Sequence, residues 1–554
     1  MEFFSKVLID AARGIVPADC VFRNAQVFNP FICAWEEGDL ALKNGLVLGI
    51  GDYSGKKMID LKGGYVVPGL IDSHAHIESS LLTPREYARL VVLSGTTTVI
   101  ADPHEIANVA GKLGIEFMLA ERVGADVDIL YMLPSCVPTT PDDIGGATLG
   151  ASDLGEFAGY EGVLGLGEMM NVPGVLVADP EILEKLASFE IRDGHAPFLT
   201  GNDLNAYILA GLQSDHECTL LEEADEKLKR GMHIFIREGS TERNIADLIS
   251  LVTTGTVSRF SFATDDCHAD LLMEKGHIDR CIRKSIECGL EPELAIRMAT
   301  LSAAERFGLH DRGALVPGRR GDFCIINNPE RFDVKKVYRS GAEIIPTVSS
   351  APPDFHGVFR SRIPKASDIR ISGSGQARVI GLVPHQIITE SLLFDCAAED
   401  LPDIERDILK VVVCSRYVPK ACGIGLVHGF GLKRGALASS VSHDAHNIVA
   451  VGTNDDEILR AIGEVISCQG AMAAVMGTSK AILPLDCAGL MSTLDYRSVV
   501  ARLHAIKKLT ESMEGISDPF MYLSFLALTV IPSLRITIRG VFDASGFQNV
   551  PLFV

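Results

Sequence analysis

Apolar and polar positions divide the chain into three zones of different period. From about residue 20 to 62, short alternating runs (21–28, 39–42 and 46–50) are separated by Asn, Gly and Pro, the mark of half-buried strands joined by turns. From about 65 to 305, short apolar runs alternate with stretches of helical period. Strands are expected at 65–71, 97–101, 128–133, 163–167, 189–191, near Gln213, at 232–236 and at 259–263, with helices such as 84–93, 182–188, 203–210 and 222–230 between them. Eight strands alternating with helices imply parallel β-α units closing into a barrel. An open doubly wound sheet competes, but no G-x-G-x-x-G follows the first strand, so its dinucleotide-binding form loses support. The third zone starts near Ile363, behind a Pro- and Ser-containing linker at 346–353.

Composition narrows the partners. The 554 residues suit one large barrel with smaller domains attached. A net charge of −21 repels phosphate backbones and anionic lipid, which argues against nucleic-acid and membrane-surface partners. The longest apolar stretch, 520–534, is short for a membrane crossing and is broken by Pro532. The N-terminus lacks a signal-peptide pattern, and the 13 cysteines, odd in number and without a C-x-x-C pair, suit a reducing compartment. A cytoplasmic protein is expected.

The chemistry stands at the strand ends. Strand one leads into Asp72, His74 and His76, strand two into Asp102, His104 and Glu105, and strand four into Glu168. Strand five is followed by Asp193 and His195, strand six by Asp215, His216 and Glu217, and strand eight by Asp265 and Asp266. Active sites of such barrels lie at the C-terminal strand ends, so these groups converge on one mouth. His74 and His76 are two apart on a strand and face the same side. Nitrogen and oxygen donors without thiolate favour Zn, Mn or Fe, and a bridging carboxylate is a usual way to hold two cations.

At these residues the sequence resembles the amidohydrolase superfamily, and within it the bacterial and archaeal adenine deaminases. The likeness lies in VVPGLIDSHAHIESSLLTP (66–84), GTTTVIADPHEIANVAG (95–111), GLGEMMNVPGV (165–175), DGHAP (193–197), DLNAYILAG (203–211), IREGS (236–240) and ATDD (263–266). It continues in GFGLKRGALASSVSHDAHNIVAVG (429–452) and LPLDCAGLMS (483–492). The resemblance implies a TIM-like (β/α)8 metallo-hydrolase barrel over 65–305. It also implies a small composite β-sandwich from 1–64 and 306–350, and an appended α+β domain over 363–554. It implies two divalent metals, Mn²⁺ or Fe²⁺ with Zn²⁺ as the alternative, held by His74, His76, Glu168, His195, His216 and Asp265. Glu168 bridges in place of the carboxylated lysine of many relatives. Asn202 stands where family members often carry lysine.

The implied reaction is hydrolysis of adenine to hypoxanthine and ammonia. A hydroxide held by the two metals attacks C6, and Asp265 shuttles the proton with Glu168 and His216 as its catalytic neighbours. Asp265 is preferred to Asp266 as the residue first after the strand. Glu217, Glu105 and His216 are the candidates for protonating N1. Substrate contacts are expected from His104, Glu105, Glu217, Glu238 and Asp266. Asp102, His104 and Glu105 read equally as a cap on the following helix, and Arg237 with Glu238 as a buried ion pair. His233 reads as a core or interface residue, and His268 and His277 as outer or surface groups. His443, Asp444 and His446 read as a structural network, an auxiliary metal site or a lid over the mouth. The run 429–435 lacks the Walker spacing and reads as a tight loop. Partners are the small substrate, water and further copies of the chain in a homo-oligomer. A sister amidohydrolase acting on another heterocycle or cyclic amide is the second reading, and a non-catalytic scaffold barrel the third.

Overall fold

The structure is a computed structural model describing residues 5–554 except 141–143, 347–353, 385, 387 and 420. Most of the expected 346–353 linker therefore lies outside the described residues. Eight parallel strands form the barrel: β1 (Leu70–Ala75), β2 (Thr96–Ala101), β3 (Asp128–Leu133), β4 (Val163–Met169), β5 (Ile191–Gly194), β6 (Ser214–Asp215), β7 (His233–Arg237) and β8 (Phe260–Ala263). β1 to β5 pair in sequence, and so do β6 to β8. The ring closes where Asp265 N donates to the His74 carbonyl (3.0 Å) and His76 N to the Asp265 carbonyl (3.3 Å). Between β5 and β6, Gly194 N donates to Ser214 Oγ at 3.4 Å. β2 reads Thr-Thr-Thr-Val-Ile-Ala and is buried throughout, as a β-branched strand covered on both faces should be. Surrounding helices start where the sequence offers a start. Pro84 and Pro180 open Pro84–Val91 and Pro180–Ala187, and the Asp179 carboxylate caps the latter.

The expected strand 65–71 is two strands. Tyr65–Pro68 leaves the barrel and pairs with Phe323–Ile326 on one side and Ala18–Asn29 on the other. At Gly69 the chain passes so close to β2 that a Cβ would sit 2.2 Å from Thr97 Oγ1. An unbroken apolar run does not show where its pairing partner changes. The sheet that takes Tyr65–Pro68 has eight strands drawn from before and after the barrel, and it encloses Phe22, Val27, Leu40, Phe323 and Tyr338. The expected strands at 189–191 and near 213 lie further on, at Ile191–Gly194 and Ser214–Asp215.

The C-terminal zone carries a second eight-stranded sheet, from Ser374–Leu382 to Ser479–Pro484. Helix Asp455–Ser467, capped by the Asn454 side chain, packs Ile458, Ala461, Ile462 and Val465 on Ala436, Ala438, Ala450 and Ala473. Two segments of this zone reach the barrel mouth. One is the turn 440–447 between strands Ala436–Ser439 and Ile448–Gly452; the other runs from helix Pro519–Phe525 to Ile531. Among the described residues no helix is long and apolar enough to cross a membrane.

Candidate active site

The six strand-end donors singled out from the sequence meet in one buried cluster. β1 ends with His74 and His76 on one face, and their Nε2 atoms lie 3.1 Å apart. His76 Nδ1 donates to the Asp102 carbonyl (3.1 Å), which turns Nε2 into the cluster. Glu168, at the end of β4, divides its oxygens. Oε1 faces His76 (3.4 Å) and His74 (3.9 Å), with His104 Nδ1 beside it at 3.3 Å, while Oε2 faces His195 Nδ1 (2.8 Å) and His216 Nε2 (3.2 Å). One carboxylate shared by two pairs of imidazoles fits a pair of divalent cations with Glu168 between them. The triads His74–His76–Glu168, Glu168–His195–His216 and His74–His216–Asp265 each bring their donor atoms within 4.8 Å of one another. Burial pushes His216 down, but Glu168 outweighs it and carries the ring up to about 9. Cations and these protons compete for the same lone pairs.

Gly167 explains how β4 presents Glu168. A Cβ at this position would lie 1.9 Å from Asp102 Oδ2, the atom that accepts the Glu168 N–H at 3.0 Å. Asp102 thus anchors β4 rather than capping helix His104–Ala110, where Ile106 N donates instead to Glu78 Oε1 at 3.2 Å.

Asp265 and Asp266 point to different partners. Asp265 takes a left-handed backbone (φ 53°), which Asp tolerates better than most residues. Its Oδ1 lies 3.1 Å from His76 Nε2 and 3.8 Å from His74 Nε2, and its Oδ2 accepts from Arg237 Nη1 at 2.9 Å. Burial raises the Asp265 carboxyl, but His76 and Arg237 outweigh it and hold it well below the usual carboxylate range. Asp266 accepts instead from the Ser79 hydroxyl. Arg237, fully buried at the end of β7, also holds Glu217 Oε1 at 2.5 Å.

Glu238 departs from its expected place. The next residue on a strand faces the opposite way, and Glu238 lies among Arg280, Arg243 and Lys284, outside the cavity over the donors. His277, expected as an outer or surface group, is wholly buried against Asp72, Thr96 and Tyr87. His268 is buried too, whereas His233 sits in the barrel bonded to Ser261 Oγ, a core role. Glu242 is a site residue the sequence reading missed. It lines the cavity, and burial together with Asp265 pushes its carboxyl up to about 8. Its signal was present, since Glu242 follows strand seven as the other carboxylates follow theirs.

The C-terminal zone roofs this cavity. Glu105 Oε1 lies 2.5 Å from His443 Nδ1, and its other oxygen bonds His446 Nε2. His446 Nδ1 accepts the Ser442 N–H, so Nε2 carries the proton given to Glu105. Glu105, His443 and His446 thus form a hydrogen-bonded clamp between barrel and roof. Asp444 accepts from Thr139, and Phe525, Leu528 and Val530 complete the cavity with Met170. These residues enclose the space above the donors.

Comparison with known proteins places these features. Residues 65–344 match the amidohydrolase family, which makes the barrel that of a metal-dependent hydrolase. Residues 386–548 match the adenine deaminase C-terminal domain. The chain is 62% identical to an adenine deaminase of Methanoregula boonei over 548 residues, 99% of this chain and 98% of that one. It is 58% identical to one of Methanoculleus marisnigri (93% and 99%) and 41% identical to one of Geobacillus kaustophilus (98% of each). The chain belongs to the adenine deaminases of the amidohydrolase superfamily.

Proposed function

We propose that the protein hydrolyses adenine to hypoxanthine and ammonia in the cavity between the barrel donors and the C-terminal roof. The observation that carries the site assignment is Glu168, whose two oxygens serve two pairs of imidazoles. His74, His76, Glu168, His195, His216 and Asp265 would hold two divalent cations. When bound, these supply Lewis acidity and lower the pKa of water from 15.7 toward about 7. Resemblance to the family favours Mn²⁺ or Fe²⁺ over Zn²⁺ and supports a homo-oligomer; the unpaired thiols suit the cytosol.

The protein's own part is to place the base and move protons. Asp265, held ionised, accepts the proton of the attacking water and delivers it to the departing amino group. Arg237 fixes Asp265 and Glu217 on one wall. N1 of the ring must gain a proton as C6 becomes tetrahedral, and the C6 hydroxyl proton, released as the carbonyl forms and ammonia leaves, restores that donor. Both Glu105 oxygens are engaged by His443 and His446, which removes Glu105 from that role. Glu217 remains on the wall, beside Glu242, whose carboxyl burial and Asp265 push up to about 8. Such proton transfers contribute on the order of 10²–10⁴-fold. The apolar roof suits a neutral flat base.

Adenine turnover by the manganese-loaded protein, set against guanine, cytosine and hydantoin, tests the reading. Adenine should be preferred, and His74→Ala should lose metal and turnover while remaining folded. Turnover of a cyclic amide in its place would establish the sister amidohydrolase.

A further inference from the structure

The roof turn 440–447 is braced on every side. His443 N donates to the Ser524 carbonyl (2.9 Å), and its ring stacks on Phe525 with centroids 4.7 Å apart. His446 and His443 hold Glu105, Tyr417 Oη donates to the Ala445 carbonyl (2.8 Å), and Asn447 Oδ1 accepts Arg416 N (3.2 Å). The residue so presented is Asp444, 6% exposed and lining the cavity.

Its two oxygens have different surroundings. Oδ2 accepts from the Thr139 hydroxyl. Oδ1 makes no hydrogen bond among the described residues, and its nearest cationic partner is His104 Nε2, at 3.8 Å. The other nitrogen of that ring, His104 Nδ1, lies 3.3 Å from Glu168 Oε1. Asp444 Oδ1 therefore stands about one imidazole ring beyond the barrel donors, on the opposite wall. A carboxylate oxygen that opens into the cavity with no protein donor can accept from a ligand, and a ligand that supplies the donor is bound selectively. Adenine with C6 turned to the barrel donors carries its five-membered ring toward the roof, one ring further out. The donor that ring offers is its N–H.

We propose that Asp444 Oδ1 accepts the N–H of the purine's five-membered ring, so that the C-terminal domain selects a free base over one substituted on that ring. The proposal rests on the deaminase reading above. Thr139 keeps Oδ2 occupied and so aims Oδ1 at the substrate. His443 and His446 act as positioning residues, by tying the turn to Glu105. The contact forms with the ground state as well as the transition state, so its loss should raise KM more than it lowers kcat.

The test compares wild type, Asp444→Asn and Asp444→Glu, each loaded with Mn²⁺, on adenine, 7-methyladenine and 9-methyladenine. Methylated bases that are not turned over are read as competitive inhibitors. Asparagine keeps the size and lets its amide oxygen serve Thr139, which turns an N–H donor toward the ring. Asp444→Asn should raise KM for adenine about 10- to 100-fold, the worth of one charge-assisted hydrogen bond, with kcat within about 3-fold and metal content unchanged. The methylated bases, which lack the N–H, should bind wild type more weakly than adenine and change less than about 3-fold in the variant. Asp444→Glu should regain part of the adenine affinity. Equal losses on all three bases, or no loss on adenine, would overturn the proposal. A wild-type protein inert toward adenine would instead overturn the deaminase reading.

Discussion

Replacing Lys227 by methionine removes a cation that solvent does not reach. Its Nζ donates to Glu223 Oε1 (2.6 Å), the Ala196 carbonyl (2.6 Å) and Asp215 Oδ2 (2.9 Å), and Asp215 Oδ1 in turn accepts Ala196 N (2.8 Å). Asp215 precedes His216 and Ala196 follows His195, so one ammonium ties the two strand ends that present these imidazoles. Methionine nearly preserves the volume, so little of the effect is a cavity. What remains are two buried carboxylates that have lost the ammonium they shared. Breaking a buried pair by removing one partner costs about 3–5 kcal/mol, and with two acids left unpaired the upper half of that range is expected. The same Lys227 sets the pH dependence. Burial pushes Asp215 up, but Lys227 and His216 hold it well below the usual carboxylate value. A depressed acid stabilises the fold fully above its unfolded pKa of about 3.9, and that contribution is lost as pH falls toward the folded value. Lys227 is raised, so its contribution is whole below its unfolded pKa of about 10.4 and is lost as pH rises from there through the folded value, well above the pH 4–7 range of the assay. Urea midpoints at pH 7 and pH 4 for wild type, Lys227→Met and the triple variant Lys227→Met/Asp215→Asn/Glu223→Gln are the assay. The single variant should be destabilised at pH 7 and less so at pH 4, and the triple variant should regain most of the loss. A single variant within about 1 kcal/mol of wild type at pH 7, with the same acid sensitivity, would refute the reasoning.

The remaining expectations concern the chemistry. Asp265→Asn should lower kcat on the order of 10²-fold or beyond, by more than its lost metal explains, while Asp266→Asn, which perturbs the Ser79 contact, should lose less; the reverse order in kcat with metals in place would move the shuttle by one residue. Glu168→Gln should weaken both metal sites together, read as a fall in stoichiometry from two toward none, because an amide bridges cations poorly; retention of both would remove Glu168 from the bridge. Glu242 is pushed up to about 8, so its protonated form prevails below that pH and is lost as pH rises through it. Wild-type kcat/KM should therefore fall on an alkaline limb near pH 8 that Glu242→Gln lacks, and an unchanged limb in the variant would remove Glu242 as the proton source.

What the sequence by itself determined is whatever depends on local period. Alternation of strand and helix established the parallel barrel, and the two-residue period of a strand put His74 and His76 on one face. The rule that barrel chemistry gathers at C-terminal strand ends then carried Glu168, His195, His216 and Asp265 into the same cluster. The same rule, applied without the strand's exact end, misplaced Glu238, because a shift of one residue turns a side chain to the other face. Tertiary structure decided the rest. The pairing of Tyr65–Pro68 with strands from both ends of the barrel left no trace in its apolar run. The left-handed backbone at Asp265 distinguished it from Asp266. Above all, the roof arises from contacts between residues about 340 positions apart, such as Glu105 with His443 and His446. Their polar side chains read from sequence as a network, a metal site or a lid, since which surface covers them is a property of how two sheets dock and not of any local pattern.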